Sequence, residues 1–83
     1  MGIAMPLYFF DVYDGVMQLD EDGTECADLQ AARLLAKQLL PNIAREELSQ
    51  STDEHMYAVV VSDADHRPVY TVSLTVIGLW IIR

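Results

Sequence analysis

The sequence is poor in cysteine and in basic residues, and it has no long apolar run. Its one cysteine, Cys26, excludes an internal disulfide and indicates a reducing compartment. Five basic residues against thirteen acidic ones give a net charge of -8, which argues against nucleic acid or an anionic membrane as a direct partner. The longest apolar run, 76–82, is too short to span a bilayer, and the first six residues lack the features of a signal peptide. We therefore expect a soluble, cytoplasmic protein.

Length and composition limit the fold to one small domain. The chain has 83 residues, and its hydrophobic content of 52% argues against disorder. A chain this short buries only roughly 60–65% of its unfolded surface, so its stability margin should be small. We expect a single domain over 1–83, with a loose N-terminal extension at 1–4 and an apolar C-terminal tail at 78–83.

The stretch from Asp28 to Leu48 has the period of a helix. Its apolar residues recur three and four positions apart and predict one buried stripe: Leu29, Ala32, Leu35, Ala36, Leu39, Leu40 and Ile43. Asp28 is placed to cap the N-terminus. Pro41 predicts either a kink or a break that starts a second helix, and the unchanged phase of the stripe favours a kink.

Two predicted hairpins flank this helix. The first joins a strand from Pro6 to Tyr13, through a type I′ turn at Asp14-Gly15, to a partner strand. A two-residue turn pairs Tyr13 with Val16, and it places four residues on one face: Phe10, Val12, Met17 and Leu19. A polar turn at 20–23 and a short extended link at 24–27 lead from this hairpin to the helix.

The second hairpin joins strands predicted at Met56–Ser62 and Val69–Ile77, after a polar loop at 49–54. The last strand alternates in a period of two, with Thr71, Ser73 and Thr75 on one face, which is typical of a half-solvated antiparallel strand. The order is therefore β-β-α-β-β. We predict an α+β fold: a four-stranded, largely antiparallel sheet with one kinked helix packed on one face.

No catalytic, metal or cofactor constellation stands out, so we expect a protein that is not an enzyme and needs no cofactor. An enzyme would need a pocket where two carboxylates, or Cys26 and a histidine, converge. His55 and His66 are predicted to be exposed, and the carboxylates beside Cys26 should raise its pKa. Asp11, inside an apolar strand, is predicted to be a hydrogen-bonded residue on the outer face.

The acidic run 20–25 invites comparison with a calcium loop. Aligning Gly23 with the invariant glycine of an EF-hand places Gln18 and Leu29 at two ligand positions, where neither can coordinate calcium. A cation site on Asp20, Asp22 and Glu25 is the alternative to a solvated turn, and the frequency of Asp and Gly in turns favours the turn.

One helix can cover only one face of the sheet. Apolar side chains that it leaves uncovered predict an interface, whose candidate residues come from the first strand and the tail: Leu7, Phe9, Tyr13, Trp80, Ile81 and Ile82. The alternative is a tail that folds back over the core or is disordered. We predict a homodimer formed through the open face of the sheet or its edge strands.

Most of the stretch 5–74 resembles a family of short bacterial proteins of unknown function. The resemblance rests on M-P-L-Y-F-F-D-V-Y-D-G, then D-E-D-G-T-E, an alanine-rich helix, and V-S-D-A-D-H-R-P-V, in which His66 or Arg67 stands where the family has glycine. Pro41 and the apolar tail depart from the family pattern. The resemblance implies the fold and brings no activity, cofactor or catalytic residue.

A second resemblance is to antitoxins of the HicB type, which pair a small sheet and a helix and block a toxin ribonuclease. It rests on the D-E-D-G turn and the helix after it, whereas the glycine-rich elements and the DNA-binding tail of that group are missing. The acidic charge would suit a basic protein partner. The sequence thus predicts a protein–protein interaction module that self-associates, with an antitoxin-like inhibitor as the alternative.

Overall fold

A computed structural model describes residues 5–47 and 53–82 of the chain. The predicted N-terminal extension, most of the polar loop at 49–54 and Arg83 lie outside these ranges. Within them the α+β class is confirmed, with one helix and five strands in the following order: β1 (Leu7–Tyr13), β2 (Met17–Gln18), β3 (Thr24–Glu25), α1 (Leu29–Glu47), β4 (Glu54–Ser62) and β5 (Pro68–Ile77).

The sheet is antiparallel throughout the described residues. Its order is β2-β1-β4-β5, and β3 also pairs with β1. The prediction of four strands differs from the five observed because two short segments share one edge of β1. β2 pairs with the end of β1, where Tyr13 lies opposite Met17, and β3 pairs with its start, where Leu7 lies opposite Glu25.

The first hairpin forms, but its predicted register is wrong by one residue. Val12 lies opposite Gln18, so the loop contains three residues, 14–16, instead of two. Only Gly15 in this loop has a positive φ, whereas a type I′ turn needs positive φ at both central residues. The Asp14 side chain instead accepts a hydrogen bond from the Val16 amide. Met17 and Leu19 are consequently exposed and do not share a face with Phe10 and Val12.

The helix packs on the sheet through small residues. Its buried positions recur every fourth residue and are mostly alanines: Ala32, Ala36, Leu40 and Ala44. Because alanine extends little from the helix axis, the helix can lie close to the large side chains of the sheet, among which Tyr57, Val59 and Val61 are fully buried. Leu29, predicted in the buried stripe, is 44% exposed, since it belongs to the first turn of the helix.

The start of the helix and its continuity through Pro41 follow the sequence prediction. The Asp28 carboxylate accepts a hydrogen bond from the Ala31 amide at 2.8 Å, which confirms the N-cap. Pro41 lies inside a continuous helix on its exposed side, so the predicted break is not observed. A bend at this position stays a prediction.

Candidate functional site

The C-terminal tail is the most exposed apolar segment of the described chain. It follows β5 directly, and at its start the Gly78 amide donates a hydrogen bond to the Asp53 carbonyl. The exposed fractions of its side chains are 79% for Leu79, 83% for Trp80, 87% for Ile81 and 82% for Ile82. The tail therefore does not fold back over the core.

The first-strand members of the predicted interface are covered to different degrees. Phe9 is 7% exposed, because the ring of His66 stacks on it with 4.1 Å between ring centroids. Leu7 and Tyr13 are half-buried. The six-residue interface stays a prediction, but the structure leaves only its tail residues widely accessible.

The cover over Phe9 depends on two residues with left-handed backbone. Gly23 has φ +75°, and a Cβ built there would lie 3.0 Å from the Leu7 side chain and 3.1 Å from Phe9. His66 has φ +61° and is the only described residue other than glycine with positive φ. Of the two residues that the resemblance left open as standing in place of a glycine, His66 is the one with left-handed backbone, which glycine adopts most readily.

Asp20 fills the gap between β2 and β3. Its carboxylate accepts hydrogen bonds from the amides of Phe10 at 3.1 Å, Asp22 at 3.2 Å and Gly23 at 3.0 Å. Its own amide donates to the Asp11 carboxylate at 2.9 Å, which confirms Asp11 as a hydrogen-bonded residue. Desolvation by burial would raise the pKa of Asp20, but the three amide donors outweigh it and hold the pKa below the usual value for aspartate.

The acidic turn does not assemble a cation site from the described residues. No three His, Cys, Asp or Glu side chains in 5–47 and 53–82 lie close enough to hold a metal ion. Both oxygens of Asp20 face backbone amides, and Asp22 and Glu25 are exposed. The geometry is thus that of a turn built on an aspartate, in which the carboxylate supports the backbone.

The cysteine and the histidines lie in separate places. Cys26 is buried at the start of the helix, where desolvation by burial and then the charge of Asp28 raise its pKa. His55, predicted to be exposed, is half-buried, and its Nε2 lies 2.7 Å from the Asp14 carbonyl oxygen. The His55 ring also contacts Tyr57, whose buried hydroxyl has no hydrogen-bond partner among the described residues.

Two open clefts lie on the sheet. One, of about 630 Å³, is lined by Tyr13, Gly15, Glu54, His55, Met56 and Thr75. The other, of about 480 Å³, is at the start of β5 and is lined by Val60, Pro68, Val69, Tyr70 and Thr71. The second cleft is lined by apolar and uncharged side chains only, which suits an apolar peptide segment better than a charged ligand.

β5 forms an uncharged edge of the sheet. In the order of strands it comes last, and no other described strand pairs with its outer edge. Residues 68–77 contain no charged side chain, and Thr71, Ser73 and Thr75 are exposed on the face opposite the helix. Unpaired edges usually carry lysines, prolines or bulges that prevent pairing. β5 has Pro68 at its start and an irregularity at Val69 in its pairing with β4, whereas residues 70–77 pair regularly and carry no such feature.

Comparison with known proteins gives a family and no function. The family model of a domain of unknown function, DUF6894, matches residues 7–75. Searches of curated proteins and of solved structures found no significant match. In the described parts of the chain, no helix has both the length and the apolar character that a membrane crossing requires.

Proposed function

This chain belongs to the DUF6894 family of domains of unknown function, and we propose that it acts by protein–protein association, with a second copy of itself as partner. The observation that carries the proposal is the tail, whose four apolar side chains are each at least 79% exposed. Contiguous exposed apolar groups on a small protein usually mark an interaction surface. Tryptophan in particular is enriched among the residues that contribute most to binding.

The charge of the chain limits where two copies can meet. Each copy carries a net charge of -8, so two copies repel each other at long range. An uncharged contact surface limits this repulsion, and the tail together with β5 provides one. Salt screens the repulsion, so the homodimer should be favoured by added sodium chloride. The single cysteine supports a cytoplasmic setting for this association.

Light scattering after size-exclusion chromatography tests the proposal. We expect the full chain at high micromolar concentration to have about twice its monomer mass of 9.3 kDa. The double substitution Trp80→Ser with Ile81→Ser should give a monomer of unchanged circular dichroism, because neither side chain contacts the core. Leu34→Ser is the matched control, since Leu34 is an apolar side chain that is 51% exposed on the helix and belongs to neither β5 nor the tail, so the dimer should stay intact.

A monomeric wild-type chain under these conditions would refute self-association. A dimer that persists in the double variant at the same concentrations would refute the role of the tail. Both measurements are made on the complete chain, so neither depends on isolating a fragment.

The second candidate is an antitoxin-like inhibitor that covers a basic protein. Thirteen acidic residues against five basic ones favour it, since complementary charge accelerates and orients such binding. The two candidates respond to salt in opposite directions, because screening weakens attraction between unlike charges. Co-purification of a small basic protein that dissociates as sodium chloride is raised would support this candidate over the homodimer.

A further inference from the structure

We infer that the partner copy pairs with β5, edge to edge and antiparallel, about a twofold axis at Thr75. In this arrangement residues 78–82 of each copy extend β5 and lie beside the start of the partner's β5. The inference rests on the proposed self-association and specifies its geometry. Pairing of identical strands about a twofold axis lets the same edge serve both copies, so the assembly closes as a dimer.

The absence of charged residues distinguishes residues 68–82 from the rest of the chain. From Pro68 to Ile82 the sequence contains no charged residue, and Arg67 and Arg83 bound it on either side. Thr75 is the middle residue of that stretch. A pairing centred on Thr75 therefore brings only uncharged residues face to face along the whole contact, although the chain as a whole carries a charge of -8.

The position of the axis follows from where the tail would lie. With Thr75 on the axis, Trp80 lies opposite the partner's Tyr70, and Ile82 lies opposite the partner's Pro68. The tail then runs along the apolar cleft formed by Val60 and residues 68–71. An axis near Ser73 would pair only the strand residues and would place the tail against the turn that contains Asp63 and Asp65. Burial of the apolar tail favours the axis at Thr75.

The other edge of the sheet consists of two strands of only two residues each, separated by the turn that contains Asp20. Along β1 the outer edge is already occupied by β2 and β3, and the amide of Phe10 between them is bound by the Asp20 carboxylate. Along residues 70–77 of β5, in contrast, the pairing with β4 is regular, so alternate backbone amides and carbonyls point away from β4. A second β5 would satisfy these groups in both copies at once.

Single cysteines introduced along β5 test this geometry. In the full chain with Cys26→Ala, we would introduce Thr71→Cys, Ser73→Cys and Thr75→Cys separately, all at exposed positions on one face. Only Thr75→Cys should form a disulfide-linked dimer on oxidation, because only residues at the axis come within the Cα separation of about 7 Å that a disulfide tolerates. The chain with Cys26 retained is a second background, since that thiol is buried.

A mixed experiment checks the register independently. Thr71→Cys mixed with Leu79→Cys should give a heterodimer linked by a disulfide, whereas each variant alone should not. Spin labels provide a readout that does not require disulfide geometry. The distance between copies should be shortest at position 75. At position 73 the two residues should be offset by roughly 13 Å along the strands, because each copy moves two residues in opposite directions, so the backbone distance should rise from about 5 Å to about 14 Å.

The outcomes separate this inference from the function on which it rests. A chain of dimeric mass with no proximity along β5, or with its shortest distance at position 71 or 73, overturns the geometry and leaves self-association standing. A chain of monomeric mass overturns both. Cross-linking at position 75 together with the mixed heterodimer supports the edge-to-edge pairing.

Discussion

The two edges of the sheet are built in opposite ways. At the β1 edge, two short strands and one carboxylate satisfy the backbone, and Gly23 and His66 cover Phe9. At the β5 edge, ten uncharged residues lead into an apolar tail that is almost entirely exposed. The closed edge shows how this small chain stabilises its own fold. At the open edge no described strand pairs with the outer side of β5, and there we propose that a second copy binds.

Loss of the Asp20 carboxylate should have the largest effect on stability. Asp20→Ala leaves the amide of Phe10 and two turn amides without their acceptor, and we expect the free energy of unfolding to fall by about 2–3 kcal/mol. Urea denaturation measures this loss. Asp22→Ala is the matched control in the same turn, because its exposed side chain accepts no hydrogen bond among the described residues. Equal losses in the two variants would show that the carboxylate does not close the edge.

Gly23→Ala tests the close approach of the turn to the first strand. The backbone there has φ +75°, and the added methyl group would come within 3.0 Å of Leu7, so we expect a loss of about 1–2 kcal/mol. Gly78→Ala, at the open end, is the comparison. It carries no positive φ, and its closest contact is the exposed carboxylate of Asp53, which can move. A loss at Gly78 as large as that at Gly23 would remove the contrast between the edges.

The pH dependence of the free energy of unfolding in the acid range should report the ionisation of Asp20. The pKa of this carboxyl is lower in the folded chain than in the unfolded one, so its contribution to stability is present above the unfolded pKa and is lost as pH falls through the folded pKa. In Asp20→Asn the difference in stability from wild type at pH 7 should therefore shrink below about pH 4. A difference that stays constant down to pH 2 in urea titrations would show that the charge plays no part.

Much of the fold follows from local patterns in the sequence. The helix period, the Asp28 cap and the alternation in β5 each depend on neighbouring residues, and the structure has the helix and the last two strands close to their predicted bounds. The register of the first hairpin did not follow from the Asp14-Gly15 pair, because side-chain hydrogen bonds decided the loop. The Asp14 side chain accepts a hydrogen bond from the Val16 amide. After β2, the Asp20 amide donates a hydrogen bond to the Asp11 side chain in β1.

The candidate site was predictable only where it depends on composition. The exposure of the tail could be anticipated from its apolar residues beyond the last strand. The burial of Phe9 could not be anticipated. It depends on Gly23 and His66, which lie 14 and 57 positions further along the chain and approach Phe9 only in the folded structure. The one sequence signal was the glycine expected from the resemblance near position 66, because glycine in a turn is typical of a left-handed backbone. It did not indicate that the ring of a histidine at this position would stack on Phe9.

The smallest effect on stability should come from a charge placed on the open edge. Thr75→Lys lies on an exposed, solvated strand, so at low micromolar concentration the free energy of unfolding should change by less than about 0.5 kcal/mol. At high concentration the same substitution should abolish the dimer, because two lysines meet at the proposed axis. Scattering mass and urea denaturation on one sample series measure both. If Thr75→Lys destabilised the dilute chain as much as Asp20→Ala does, the Thr75 side chain would already be packed within the monomer, and this part of β5 would not be open to a second copy.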